Sequence, residues 1–121
     1  MLIRIKPQQL SLNEMFMVAN TYPKNSKEFK EIFDIASRMY PDSEIARMNT
    51  AALDLENEAV DVAIEKMKNI NLPEAWNNLG IAYIKKGDYK KATGFFTKAA
   101  QAGNRQAADN LRQLEEWLKY Q

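Results

Sequence analysis

Cysteine and histidine are both absent from this chain of 121 residues, and each absence closes a class of chemistry. Without cysteine there are no disulfides, no thiolate metal sites and no cysteine nucleophile, although such a chain suits a reducing or an oxidising compartment equally. Without histidine there is no Ser-His-Asp triad, no imidazole zinc site and no side chain that titrates near neutrality by default. Neither sign of charge is in excess: 17 basic residues against 16 acidic give a net charge of +1, so there is no overall field to draw in nucleic acid or anionic lipid. No apolar run approaches the roughly 20 residues that span a bilayer, and MLIRIKPQQL has no apolar segment followed by a small-residue cleavage site. The expectations are no nucleic-acid partner, no direct membrane insertion and no cofactor or metal.

What is present is ordinary globular composition, 45% hydrophobic and 27% charged with only four Gly and four Pro. That amount of apolar surface suits one core, hence a single domain over residues 1–121. Beyond Ile5 there is no strand alternation and no Asn-Gly or Asp-Gly hairpin signal, so the chain is expected to be all-α. Ser11 with Glu14 makes a capping box for a first helix from about Leu12 to Tyr22, which Pro23 ends. Asn25 with Glu28 offers a second box, before a helix whose stripe is Phe29, Ile32, Phe33, Ala36 and Met39. Asp42 or Ser43 can cap a third helix and Asn57 a fourth. Pro73 suits the first turn of a fifth, which Gly87 ends. Asp88 caps a sixth, closed by Gly103. A last segment carries Ala107, Ala108, Leu111, Leu114, Trp117 and Leu118 on one broad face and reads as a cover helix over 107–119. Short connections make neighbours antiparallel, giving three helical hairpins and one extra helix.

The stretch PEAWNNLGIAYIKKGDYKKATGFFTKAA has a regular spacing. Trp76, Leu79, Gly80, Tyr83, Ala92 and Phe96 match the register W-x2-L-G-x2-Y followed by A-x3-F, by which the chain resembles the tetratricopeptide repeat family. A proline that usually closes the unit falls at Asn104, so Gly103 and Asn104 must make that turn. Each matched residue has a packing reason: Gly80 and Ala92 keep the helix crossing close, and the larger side chains fill the space around it. Ala51 and Ala63 repeat the small pair, with Met67 in the place of Phe96 and Ile70 in that of Ala99. Farther upstream, Met17, Phe29, Phe33 and Ala36 take the corresponding places, with Met17 and Phe29 bulky where Gly and Ala are expected. The units are thus about 10–43, 44–72 and 73–106. The resemblance implies a right-handed superhelix of antiparallel helical hairpins with about seven helices.

More narrowly, KPQQLSLNEMFMVANTYPKNSKEFKEIFDIASRMYPDSEIARMN and LRQLEEWL resemble the C-terminal helical-repeat region of larger cell-envelope proteins of Bacteroidetes. Some of those carry an outer-membrane protein A-like domain upstream. That resemblance implies that Met1 begins a piece of a longer protein located in the periplasm or at the outer membrane. Otherwise a cytoplasmic location is expected.

Proteins of the tetratricopeptide family hold an extended peptide or partner helix on the concave face lined by the first helix of each hairpin. The implied positions here are Ile45, Met48, Ala52 and Leu55, then Asn77, Ile81, Ile84 and Lys85. Such an apolar face either takes up a partner segment or is buried against the first hairpin and the N-terminal arm. The carboxylate clamp of chaperone-binding members needs Lys and Asn at two of these positions, where Asn77 and Ile81 stand, so that partner class is disfavoured. The expected function is a non-catalytic protein-protein interaction or scaffolding module, with Asn77 and Lys85 orienting the partner. The alternative is a structural spacer of a larger cell-envelope protein with no ligand of its own.

Other groups have plainer accounts. Asn49 and Asn78 can present amides to a peptide, or bond their own turns. Lys85, Lys86, Lys90 and Lys91 bracket the Gly87-Asp88 turn as a solvated basic cluster. Glu56 with Glu58 and Glu115 with Glu116 come with neither a nucleophile nor a calcium-loop spacing. Gly94, inside the sixth helix, is expected to allow a close contact, since glycine there costs roughly 1 kcal/mol against alanine.

Overall fold

The computed structural model describes residues 11–23 and 26–121. Among them are seven helices and no strand: α1 (Leu12–Ala19), α2 (Lys27–Met39), α3 (Glu44–Glu56), α4 (Val60–Met67), α5 (Pro73–Lys85), α6 (Tyr89–Gln101) and α7 (Arg105–Leu118). The chain divides into two compact units, Met1–Leu53 and Asp54–Gln121, with the division inside α3.

In the first unit the capping box at α1 forms in full. Ser11 N donates to Glu14 Oε1 at 3.0 Å and Glu14 N donates to the Ser11 hydroxyl at 3.2 Å. The helix stops at Ala19 rather than near Tyr22: the Thr21 and Tyr22 amides bond Val18 O and Ala19 O, a tightened last turn. Pro23 disfavours helical backbone at the residue before it, which accounts for the early stop. Ser26 caps α2, its hydroxyl accepting from Phe29 N at 3.2 Å; Asn25, expected in that role, lies outside the described residues. Phe29, Ile32, Phe33 and Ala36 of the expected stripe are buried with Met15 and Ala19 of α1. Phe33 sits 5.2 Å from Phe16 and 4.5 Å from Phe29 between ring centroids. Met39, at the end of α2, is instead 38% exposed, and Met17 is 70% exposed. Met17 is therefore not the counterpart of a close-packed glycine; α1 turns Met15 and Ala19 inward, so its bulk meets solvent. Of the two caps considered for α3, Ser43 is used, accepting from Ala46 N at 3.2 Å.

The second unit is built around α4 to α7. The turn entering α4 departs from expectation. Asn57 does not cap α4, which starts at Val60 with no side-chain cap on Ala59. Asn57 instead lies in a turn where Glu58 has φ 62°, Glu58 N bonds Leu55 O and Ala59 N bonds Asp54 O. The same pair of bonds occurs at Gly87 (φ 79°) and Gly103 (φ 95°), so a glutamate stands in the left-handed position that glycine fills twice downstream. The partly buried ion pair Asp54–Lys66, at 2.6 Å, ties the end of α3 to α4. Pro73 opens α5, Asp88 caps α6 by accepting from Lys91 N, and Asn104 caps α7 by accepting from Ala107 N.

The α5–α6 hairpin carries the repeat register as expected. Leu79, Gly80, Ala92 and Phe96 are buried, and a Cβ at Gly80 would meet the Phe96 ring. Gly94 differs: among the described residues nothing lies within 4 Å of where its Cβ would be, so no contact with them explains the glycine. On α7 only Ala107 and Leu114 are buried; Ala108 faces solvent, and Trp117 and Leu118 are 44% and 38% exposed. The stripe is narrower than the sequence pattern implies.

Candidate functional site

The residues expected to face a partner fall in different surroundings. Met48 and Ala52 are half-buried on α3 in the first unit, where Ile45 is 51% exposed. In the second unit Leu55 is buried. Asn77 is 4% exposed, and its amide oxygen accepts from Asn110 Nδ2 at 2.9 Å, linking α5 to α7. Lys85 donates to Glu58 Oε1 at 3.3 Å, which holds it at the α3–α4 turn. Ile81 and Ile84, one turn apart on α5, are half-buried and line a common cavity.

That cavity, of about 350 Å³, is completed by Tyr89 and Phe96 from α6 and by Asn110, Gln113, Leu114 and Trp117 from α7. Tyr89 and Trp117 meet as tilted rings with centroids 4.9 Å apart, fixing one wall. Phe96 and Leu114 are nearly inaccessible and supply an apolar base. Among the described residues the lining contains no charged side chain. Its polar residues are the two α7 amides, Asn110 and Gln113, beside the Tyr89 and Trp117 rings, Asn110 being oriented by Asn77. Such a surface favours uncharged apolar groups, with amides able to meet a peptide backbone.

Sequence reasoning did not assign the α7 residues to a site, having read that segment as a cover. The signal was available: Asn110, Gln113, Leu114 and Trp117 fall at i, i+3, i+4 and i+7, one helical face. Nothing in that pattern says which element the face meets.

Two lysines of the basic cluster, Lys85 and Lys86, are paired with Glu58 and Asp61. Lys86 donates to Asp61 at 2.6 Å; that hydrogen bond, then the charge of Asp61, raises its pKa. Lys91 lies 4.0 Å from Asp88 and 5.3 Å from the Tyr83 ring centroid. Among the described residues no helix is long and apolar enough to cross a membrane, and no group of three or more acidic side chains is placed to hold a metal.

Residues 73–101 match the family model for the tetratricopeptide repeat. Among solved structures, the chain is similar to the first TPR of Spaghetti (RPAP3) bound to HSP90 peptide SRMEEVD. The TM-score is 0.73 at 17% sequence identity, over 97% of this chain and 98% of that one. The all-α architecture of helical hairpins is thus that of a tetratricopeptide-like fold. No curated protein matches the sequence.

Proposed function

We propose that the chain is a non-catalytic protein-interaction or scaffolding module that docks a peptide or partner protein on the α5–α7 face of its second unit. The uncharged cavity of about 350 Å³ carries this reading, because it leaves Ile81, Ile84 and Trp117 partly accessible beside two amides. Its volume is at the lower end of ligand pockets, room for one or two apolar side chains rather than a large cofactor. The repeat match over 73–101 and a fold shared with a peptide-holding domain support the same role. The neutral lining, with Ile81 where a clamp would need a polar or cationic group, favours an apolar segment over an acidic tail. Burial of a few apolar anchors supplies the affinity, and Asn110 and Gln113 set direction.

The alternative, a spacer within a larger cell-envelope protein, draws on the half-buried state of Met48 and Ile81 and the burial of Leu55. It rests on the narrower resemblance, as does a periplasmic or outer-membrane-associated location.

Selection of random-sequence displayed peptides on the purified chain tests the docking reading. Titration is followed by Trp117 emission in a variant with Trp76 replaced by Phe. Enriched peptides are expected to share an apolar anchor and to bind a Gln113→Glu variant at least tenfold more weakly, with its helical circular dichroism unchanged because Gln113 is exposed. Failure to enrich any peptide, or equal binding by the variant, rejects the α5–α7 face and favours the spacer.

A further inference from the structure

The opposite side of the α5–α6 hairpin holds a second feature that packing does not explain. Gly94 lies mid-helix in α6 with space, among the described residues, where a Cβ would stand, and it floors a shallow groove bounded by Lys91, Phe95 and Lys98. The Phe95 ring is stacked on Tyr83, with centroids 5.6 Å apart and planes within 2°. The Lys98 ammonium sits 4.2 Å from the centroid of Trp76, and the Lys91 ammonium 5.3 Å from that of Tyr83. Two cations are therefore held against aromatic faces on either side of a strip of bare backbone.

Their charge is largely uncompensated. Among the described residues no carboxylate lies within ion-pair distance of Lys98, and the one near Lys91, Asp88, is at the outer limit of 4.0 Å. A ring face attracts an ammonium without neutralising it, and it restricts a side chain that is otherwise costly to immobilise. Seven residues of helix rise place the two α6 positions about 10 Å apart along the axis. Lys90 adds exposed positive charge at the same end.

We infer that this groove is a docking surface for an acidic helix of a partner protein, which crosses α6 at Gly94 and presents one carboxylate to Lys91 and another to Lys98. Charge complementarity selects the acidic partner, and the missing side chain at Gly94 lets a second backbone approach more closely than any other residue would. The surface is separate from the neutral cavity between α5 and α7, and it stands whether or not that cavity binds a peptide.

The probe is an alanine-rich helical peptide with glutamates seven residues apart, titrated into isotopically labelled chain and followed by amide shifts. A control peptide carries glutamine at both positions. The glutamate peptide is expected to move the Gly94, Phe95 and Lys98 resonances, and the glutamine peptide to bind at least tenfold more weakly. Gly94→Ala is the decisive variant, because alanine is the better helix former and has free space here. It is expected to melt higher than wild type and yet to bind several-fold more weakly. Lys98→Gln should weaken binding several-fold, and raised salt should weaken wild type in step. Equal binding of both peptides, shifts confined to the α5–α7 cavity, or undiminished binding by Gly94→Ala would overturn the inference. So would self-association of the chain through α6, or a short DNA duplex binding α6 more tightly than the glutamate peptide.

Discussion

Phe96 occupies the space that a side chain at Gly80 would need: a Cβ there would stand 2.4 Å from Cε1 of the ring and 2.5 Å from Cδ1. The ring is 2% exposed and cannot swing into solvent. The glycine of the repeat register is therefore set by one aromatic neighbour across the hairpin, not by a turn.

Gly80→Ala should consequently destabilise the second unit. Overpacking a filled site costs about 1–3 kcal/mol, while alanine gains roughly 1 kcal/mol over glycine in a helix interior. The first term prevails, and the urea midpoint should fall. Adding Phe96→Leu to Gly80→Ala should cost less than the two single changes summed, as expected for residues in contact.

At Glu58 the opposite sign is expected. A left-handed backbone costs a non-glycine residue roughly 1–2 kcal/mol, and the ion pair with Lys85 that would be lost is highly exposed on the Glu58 side. Exposed pairs of this kind are worth about 0–1 kcal/mol. Glu58→Gly should therefore raise stability by up to about 1 kcal/mol, read as a higher thermal midpoint with unchanged helicity. A lower midpoint would show that the pair matters more than the backbone.

The Asn77–Asn110 bond ties α5 to α7 from a nearly inaccessible position. Asn77→Ala should cost about 0.5–1.5 kcal/mol by removing this hydrogen bond, the part-buried Asn110 amide remaining within reach of water. If Asn77 serves packing alone, Asn77→Leu with Asn110→Leu should recover most of that loss while peptide binding falls only through Asn110. A double-mutant cycle in denaturant and in binding separates the two contributions.

The Glu14 carboxylate is held below the usual glutamate value of 4.5, first by the Ser11 backbone N–H and then by its hydroxyl. The folded value is depressed, so this contribution is fully present above the unfolded value and is lost as pH falls through the folded one. Glu14→Gln should leave α1 less helical near neutrality and remove that increment of acid sensitivity below about pH 4.5. An identical pH profile for wild type and variant would show that the box does not form in solution.

The elements of this fold were largely legible because their signals are local. Ser11 with Glu14, Pro73, Asp88 and the glycines at 87 and 103 act within a turn of themselves, and the Phe29, Ile32, Phe33 and Ala36 stripe is simple periodicity. Where local reading failed, at the turn between α3 and α4, Glu58 takes a conformation that its residue type disfavours.

By itself the sequence determined helix positions, hairpin order and the repeat register of α5 and α6, since capping, chain breaking and 3.6-residue periodicity are properties of adjacent residues. Only the tertiary structure decided what each face meets. It turned Asn77 toward Asn110, drew Lys85 to Glu58, made Ile81 and Ile84 walls of a cavity with Trp117, and left Gly94 open. The reason is physical: a helical stripe states which side seeks cover, while the partner that covers it, and the gap that remains, depend on residues far along the chain.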